Sequence, residues 1–182
     1  SYINNMYICN KKISDIVKNR KYAEENNLNV YSFKSKNQRE LENELRSIKS
    51  DDKEWKEKVT MLKKLIKEEK ENNNRFIIRY NKNYMNSDNI MDLGFYRSVI
   101  TDGISILSYS PPKSLTLDKF SEISNHEDEE YLEYVEGTMI NLYYDTEWKI
   151  STRTNIGANI RFYTDSNLTF RDMFLEAFSK CG

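Results

Sequence analysis

Between Asn72 and Phe76 the spacing of apolar residues changes, and that change constrains the fold of this chain more than any other feature. Upstream, Leu41, Leu45, Ile48, Trp55, Val59, Leu62 and Ile66 recur in alternating steps of four and three, with Asp52 in the one missing place. Such steps put a narrow apolar stripe along a helix. Asp52 would be costly in a buried seam, and Asp51-Asp52-Lys53-Glu54 reads as a helix start, with Asp51 as cap and Glu54 three residues on. Residues 38–71 are therefore expected to form two helices broken near Ser50 and folded as a hairpin. The alternative is one continuous helix that self-associates. Asn72-Asn73-Asn74 ends the helical region.

From Phe76 onward the pattern is that of strands. Phe76-Ile77-Ile78-Arg79-Tyr80 reads as one strand. Phe95 to Thr101 and Ile104 to Ser110 flank Asp102-Gly103, a dipeptide suited to a tight hairpin turn. Pro111-Pro112 then stops the pairing, since proline has no N–H to donate. Residues 118–136 are acidic and include a loop, and Thr138 to Asp145 with Lys149 to Thr154 read as a second hairpin. Thr169 is placed to cap a helix with Asp172 at its third position, and Phe170, Met173, Phe174, Ala177 and Phe178 give that helix an apolar face. In residues 1–36, Ile13, Ile16 and Val17 sit at helical spacing and Val30-Tyr31-Ser32-Phe33 reads as a short strand. The expected class is α+β: a mostly helical region over 1–75, then an antiparallel sheet with a helix packed on it over 76–182.

Composition narrows the setting. The net charge of −1 hides an asymmetry: residues 1–90 carry 20 Lys and Arg against 14 Asp and Glu, and residues 91–182 carry 8 against 15. Cys9 and Cys181 lie far apart and His126 is alone, so no zinc-type spacing is present and no metal ligand is assigned. Sparse cysteine and the lack of a signal-like apolar run point to an intracellular, cytoplasmic protein. No stretch approaches the ~18 apolar residues of a membrane span. The chain starts without Met and stops at Gly182 after a helical pattern, as a fragment of a longer protein would.

Three segments carry the chemistry. They are Tyr96-Arg97-Ser98-Val99-Ile100 with Ser110-Pro111-Pro112-Lys113-Ser114 after the hairpin, Tyr134-Val135-Glu136-Gly137-Thr138-Met139-Ile140, and Trp148-Lys149-Ile150-Ser151-Thr152-Arg153-Thr154-Asn155-Ile156-Gly157. Their order and spacing resemble the phage-type ATP-dependent RNA ligases, covalent nucleotidyltransferases of a look common in large DNA viruses. The resemblance runs from Phe76 to the end and rests on the order of the motifs. It implies a partial nucleotidyltransferase domain, ATP and Mg2+ as cofactors, and RNA ends as substrate, in the host cytoplasm if the source is viral. Arg97 would match the family's upstream Arg, Lys113 its hairpin Lys, Glu136 its motif Asp, Gly137 its motif glycine, and Arg153 a later basic residue that contacts the nucleotide. Cap-forming guanylyltransferases share that fold and use GTP.

The resemblance has one departure. The family's attacking lysine is replaced here by Tyr134, a phenol of pKa ~10 with Glu133 and Glu136 beside it to oppose ionisation. Either Lys113 takes the nucleophile's role, or the chain does not adenylate itself. Three functions follow as expectations: an RNA-ligase-like transferase that is truncated and degenerate in its motif, a non-catalytic nucleotide- or RNA-binding module, and a helical interaction protein. Each residue also has a plainer role. Glu136-Gly137 can be a simple loop-to-strand junction, and Lys113 a surface lysine. Arg97 and Arg153 can pair with acids such as Asp145 or Glu147. Tyr143, Tyr144 and Trp148 can pack a sheet.

Overall fold

A computed structural model of the protein describes residues 12–50, 54–125, 127, 129–164 and 167–181. Their class is mixed α+β, with seven helices, a four-stranded antiparallel sheet and a separate two-stranded hairpin among the described residues. Residues 12–18 form α1, followed by α2 (Arg20–Glu25), β1 (Leu28–Ser32), α3 (Lys36–Ser47) and α4 (Trp55–Asn72). Then come β2 (Phe76–Tyr80), α5 (Ile90–Leu93), a 3-10 turn over Gly94–Arg97, β3 (Val99–Thr101) and β4 (Ile106–Tyr109). The chain continues through α6 (Leu117–Ile123), β5 (Asn141–Asp145), β6 (Glu147–Ser151) and α7 (Phe170–Cys181).

The four-stranded sheet runs in the order β1-β2-β3-β4. β1 pairs with β2 along its whole length, from Leu28 opposite Tyr80 to Ser32 opposite Phe76. The helical pair α3 and α4 is thus an excursion between two neighbouring strands, and the sheet runs across residue 75, where the sequence pattern had placed a boundary. Residues 38–71 are mostly helical and outside the sheet where described, with the break near Ser50 that their spacing predicts. Ser35 caps α3 by accepting from the Gln38 N–H at 3.0 Å. The cap expected at Asp51 lies outside the described residues; α4 starts after Glu54, which makes no side-chain cap bond. No helix among the described residues is long and apolar enough to cross a membrane.

Alternation along the strands divides the core in two. Ile78 and Val99 face one side, where Ile13, Ile16 and Ala23 of α1 and α2 cover them. Ile77 and Ile100 face the other, against Tyr143 of β5 and Ile156 beyond β6. The helices that pack on the sheet are therefore the first two, joined by Leu93 of α5, and α7 is not among them. α7 contains no buried residue, and Phe178 on its expected inner face is 64% exposed.

The hairpin turn falls where Asp102-Gly103 predicts. The Asp102 carboxylate accepts from the N–H groups of Ile104 (2.8 Å) and Ser105 (2.7 Å), and Gly103 takes a φ of 92°. The strands are shorter than expected. Gly94–Arg97 is a 3-10 turn kinked at Tyr96, so Arg97 precedes β3 and does not lie on it. The second hairpin is shorter too, with Thr146 at a φ of 61° making a tight turn between Asp145 and Glu147. α6, capped by the Thr116 hydroxyl, occupies the start of the acidic stretch expected to include a loop, and the rest of that stretch, where described, is mostly loop. The capping box of α7 is formed as expected, with the Asp172 carboxylate accepting from the Thr169 N–H at 2.8 Å and the Thr169 hydroxyl accepting from the Asp172 N–H at 3.1 Å.

Candidate functional site: an arginine-lined cleft

Three local structures meet beside the end of the sheet. The first is the turn that delivers Arg97. After it the chain becomes extended at Ser98, whose carbonyl accepts from the Ser110 N–H at 2.9 Å. The second is the seam between the sheet and the β5–β6 hairpin. Asn141 donates to the Ser110 hydroxyl (3.0 Å) and reaches the Ser151 hydroxyl (3.4 Å), joining β4 to both hairpin strands. The third is the turn after β6. The Thr152 hydroxyl accepts from the N–H groups of Thr154 (3.3 Å) and Asn155 (3.1 Å), which holds Arg153 at the tip of a closed loop. Gly157, at a φ of 90°, then returns the chain to donate its N–H to the Ile150 carbonyl.

Arg97, Arg153, Ser110, Thr152 and Thr154 line one cleft of about 240 Å³, together with Thr138 and the apolar side chains of Met139, Ile160 and Phe170. Two of the expected cations thus converge, from segments more than fifty residues apart. Neither has a carboxylate partner among the described residues. The acids named as their plain partners are engaged elsewhere or free of them: Asp145, its side chain only 5% exposed, receives two hydrogen bonds of 2.8 Å from Arg75 and one of 3.2 Å from Lys149. These bonds, the Arg75 pair first, hold the Asp145 carboxyl below its ordinary range against the opposing effect of burial. The same contact raises Arg75.

A third arginine adds to the cleft's field. Arg79 on β2 is half-buried, with its guanidinium 5.7 Å from the Tyr31 ring centre. Its pKa is lowered first by burial and then by the positive charge of Arg153. Two like charges close enough to feel each other, without an acid between them, are a standing cost that an anion would relieve. Near them, Ser98 is fully buried, and its hydroxyl has no partner among the described residues. A buried unpaired hydroxyl costs about 1–3 kcal/mol in mutational data, so its retention calls for an explanation. By strand alternation it lies on the face of Ile100, toward the β5–β6 layer.

The other expected residues are not brought in. Lys113 is exposed, with its ammonium turned to the Ser114 carbonyl (3.5 Å) and hydroxyl (3.3 Å). Only its backbone is close, donating to the Gly94 carbonyl at 3.0 Å, at the head of the turn that ends in Arg97. Glu136 is exposed and does not line the cleft. At Gly137 a Cβ would meet nothing within 4 Å, so no close approach of backbone requires glycine there. Tyr134 is 86% exposed and outside the cleft. Tyr143 is buried in the core, whereas Tyr144 and Trp148 are exposed and meet edge to face at 5.7 Å.

The sequence reading missed Arg79 and Ser98. The signal for Arg79 was present: in Phe76-Ile77-Ile78-Arg79-Tyr80 it shares a face with Ile77, and a charge on the covered face of an inner strand is unusual. Ser98 had no signal of its own. No group of three or more His, Cys, Asp and Glu side chains lies together among the described residues. Cys181 is a free, exposed thiol. In comparisons with family models, with curated proteins and with solved structures, nothing matches this chain.

Proposed function

We propose that the cleft binds the phosphate groups of a nucleotide, in a domain of the RNA-ligase-like nucleotidyltransferase kind. The observation that carries the reading is the convergence of Arg97 and Arg153 on one cleft, reinforced by Arg79, with no acid to neutralise them among the described residues. Arginine presents fixed, planar donors that suit phosphate oxygens. The hydroxyls of Ser110, Thr152 and Thr154 supply neutral donors on the same walls. ATP fits such a wall through its phosphates. Among the described residues the cleft lining brings no carboxylate, so Mg2+ would arrive on the nucleotide.

Of the functions open to such a domain, nucleotide binding without self-adenylation agrees best with the geometry. Tyr134 is solvated and apart from the arginines, and attack on a phosphate anhydride needs a nucleophile held against it. The transferase reading keeps one supporting observation, the bond from the Lys113 N–H to Gly94, which tethers the only candidate lysine beside the arginine turn. RNA ends remain the partner that the resemblance implies.

Isothermal titration of ATP and of inorganic pyrophosphate tests the reading. Both should bind, more weakly as salt is raised, and Arg97→Ala and Arg153→Ala should each weaken them roughly tenfold or more. Binding that neither variant changes would refute the assignment.

A further inference from the structure

The arginine cleft continues past Thr138 and Phe170. Thr138 and Phe170 also border a second, open concavity of about 470 Å³, formed with Phe162, Tyr163, Ile140 and the first turn of α7. Its surface is aromatic. Phe162 meets Phe170 edge to face at 5.6 Å and Tyr163 at 4.4 Å. Phe162 is 54% exposed and Tyr163 67% exposed, which is unusual for a cluster of rings with a polar cleft at one end. The shelf is fixed in place by backbone bonds, with the N–H groups of Phe170 and Arg171 donating to the carbonyls of Ile160 and Ala158.

Resting on the reading of the cleft as a phosphate site, we infer that this shelf receives the base of the same nucleotide, so that Phe162 and Phe170 form a stacking subsite for a mononucleotide. A phosphate held by Arg97 and Arg153 leaves the rest of its molecule to pass Thr138 and Phe170, which the two concavities share. A planar base covers exposed rings with little dependence on its identity, because every base presents a π face. Charge selects a mononucleotide over a nucleic-acid strand: residues 91–182 carry 15 Asp and Glu against 8 Lys and Arg, and residues 127–136 immediately before the shelf are strongly acidic. A polyanion meets the net negative charge of this half of the chain along its length, and a single nucleotide brings little charge beyond what the arginines hold.

The test compares AMP, ribose 5-phosphate and a 5′-phosphorylated unpaired tetranucleotide as ligands of the full chain, by titration calorimetry. Wild type, Phe162→Ala, Phe162→Trp and Arg153→Ala are compared, with thermal melts to verify folding. AMP should bind roughly tenfold or more tightly than ribose 5-phosphate, the size of gap that one stacked base provides. Phe162→Ala should close that gap while leaving ribose 5-phosphate affinity unchanged, and Phe162→Trp should keep it. Equal affinity for AMP and ribose 5-phosphate, both lost in Arg153→Ala, would overturn the shelf and leave the phosphate cleft standing. No binding of either, or binding indifferent to Arg153→Ala, would overturn the cleft and the shelf together. A tetranucleotide binding more than tenfold tighter than AMP would overturn the mononucleotide as occupant.

Discussion

Replacing Asp145 by Ala should destabilise the protein more than any other single loss of charge among the described residues. The carboxylate, 5% exposed, accepts two bonds of 2.8 Å from Arg75 and one of 3.2 Å from Lys149, and so fastens the β5–β6 hairpin to the entry of β2. Without it, Arg75 and Lys149 keep their charges in surroundings where their side chains are only 23% and 29% exposed. Breaking a fully buried pair costs about 3–5 kcal/mol and an exposed one about 0–1. Both cations here retain some access to water, which places the loss at about 2 kcal/mol. For a chain of this length that lowers the melting temperature by roughly 4–8 °C. The wild type should show the same dependence on pH. Because the Asp145 carboxyl is held below its ordinary range, its contribution is complete above about pH 4, the unfolded value, and is lost as pH falls through the folded one. Calorimetric melts of wild type and Asp145→Ala at pH 7 and at pH 3 measure both effects, and the gap between the two proteins should narrow in acid. A difference below about 1 °C at pH 7 would refute the reasoning and show that apolar packing of Tyr143 and Ile156 alone holds the hairpin.

The remaining predictions are more local. Arg153→Ala should leave the melting temperature unchanged or slightly raised, since it removes repulsion with Arg79 and breaks no ion pair among the described residues; a loss above about 1 kcal/mol would show a structural role for the side chain. The Tyr143 phenol, pushed up to about 12 by burial first and by Asp145 second, should titrate after the exposed tyrosines in an ultraviolet pH titration, and Tyr143→Phe should remove that late step. Since its folded value is raised, its contribution is intact below about pH 10 and declines as pH rises toward 12. Thr169→Ala should cost about 1 kcal/mol by uncapping α7, read from chemical denaturation. Incubated with labelled ATP and magnesium, the chain should acquire no covalent nucleotide; a denaturation-stable label mapped to Lys113 would show that the lysine reaches the cleft.

What the sequence revealed was local. Asp102-Gly103 and the Thr169–Asp172 box act within a few residues, and both are found where the pattern puts them. The heptad of residues 38–71 likewise needs only its own spacing. The pairing of Leu28–Ser32 with Phe76–Tyr80 could not be read that way, because the partners are separated by the whole helical excursion and nothing in either pentapeptide names the other. For the same reason α7 was assigned to the sheet by its apolar face, a place that α1 and α2 take. Arg97 and Arg153 were named through motif order, and the fold brings both to one cleft. Lys113, Glu136 and Gly137 came from the same order, yet the Lys113 ammonium turns to Ser114 and the exposed residues 131–137 reach the cleft only at Thr138, one position beyond Gly137. Asp145 shows the converse: its partner, seventy residues away in sequence, emerges only from the packing of hairpin on sheet.

The central claim is that Arg97 and Arg153 share one anion, with the positive charge of Arg79 felt beside them. The most direct measurement is nuclear magnetic resonance of the arginine Nε–H groups, assigned with single Arg→Lys variants, during titration with inorganic pyrophosphate. The signals of Arg97 and Arg153 should move together along one saturating curve while that of Arg75, bound to Asp145, stays in place. Movement confined to Arg75, Arg171 or the surface arginines, with Arg97 and Arg153 unchanged at saturation, would contradict it.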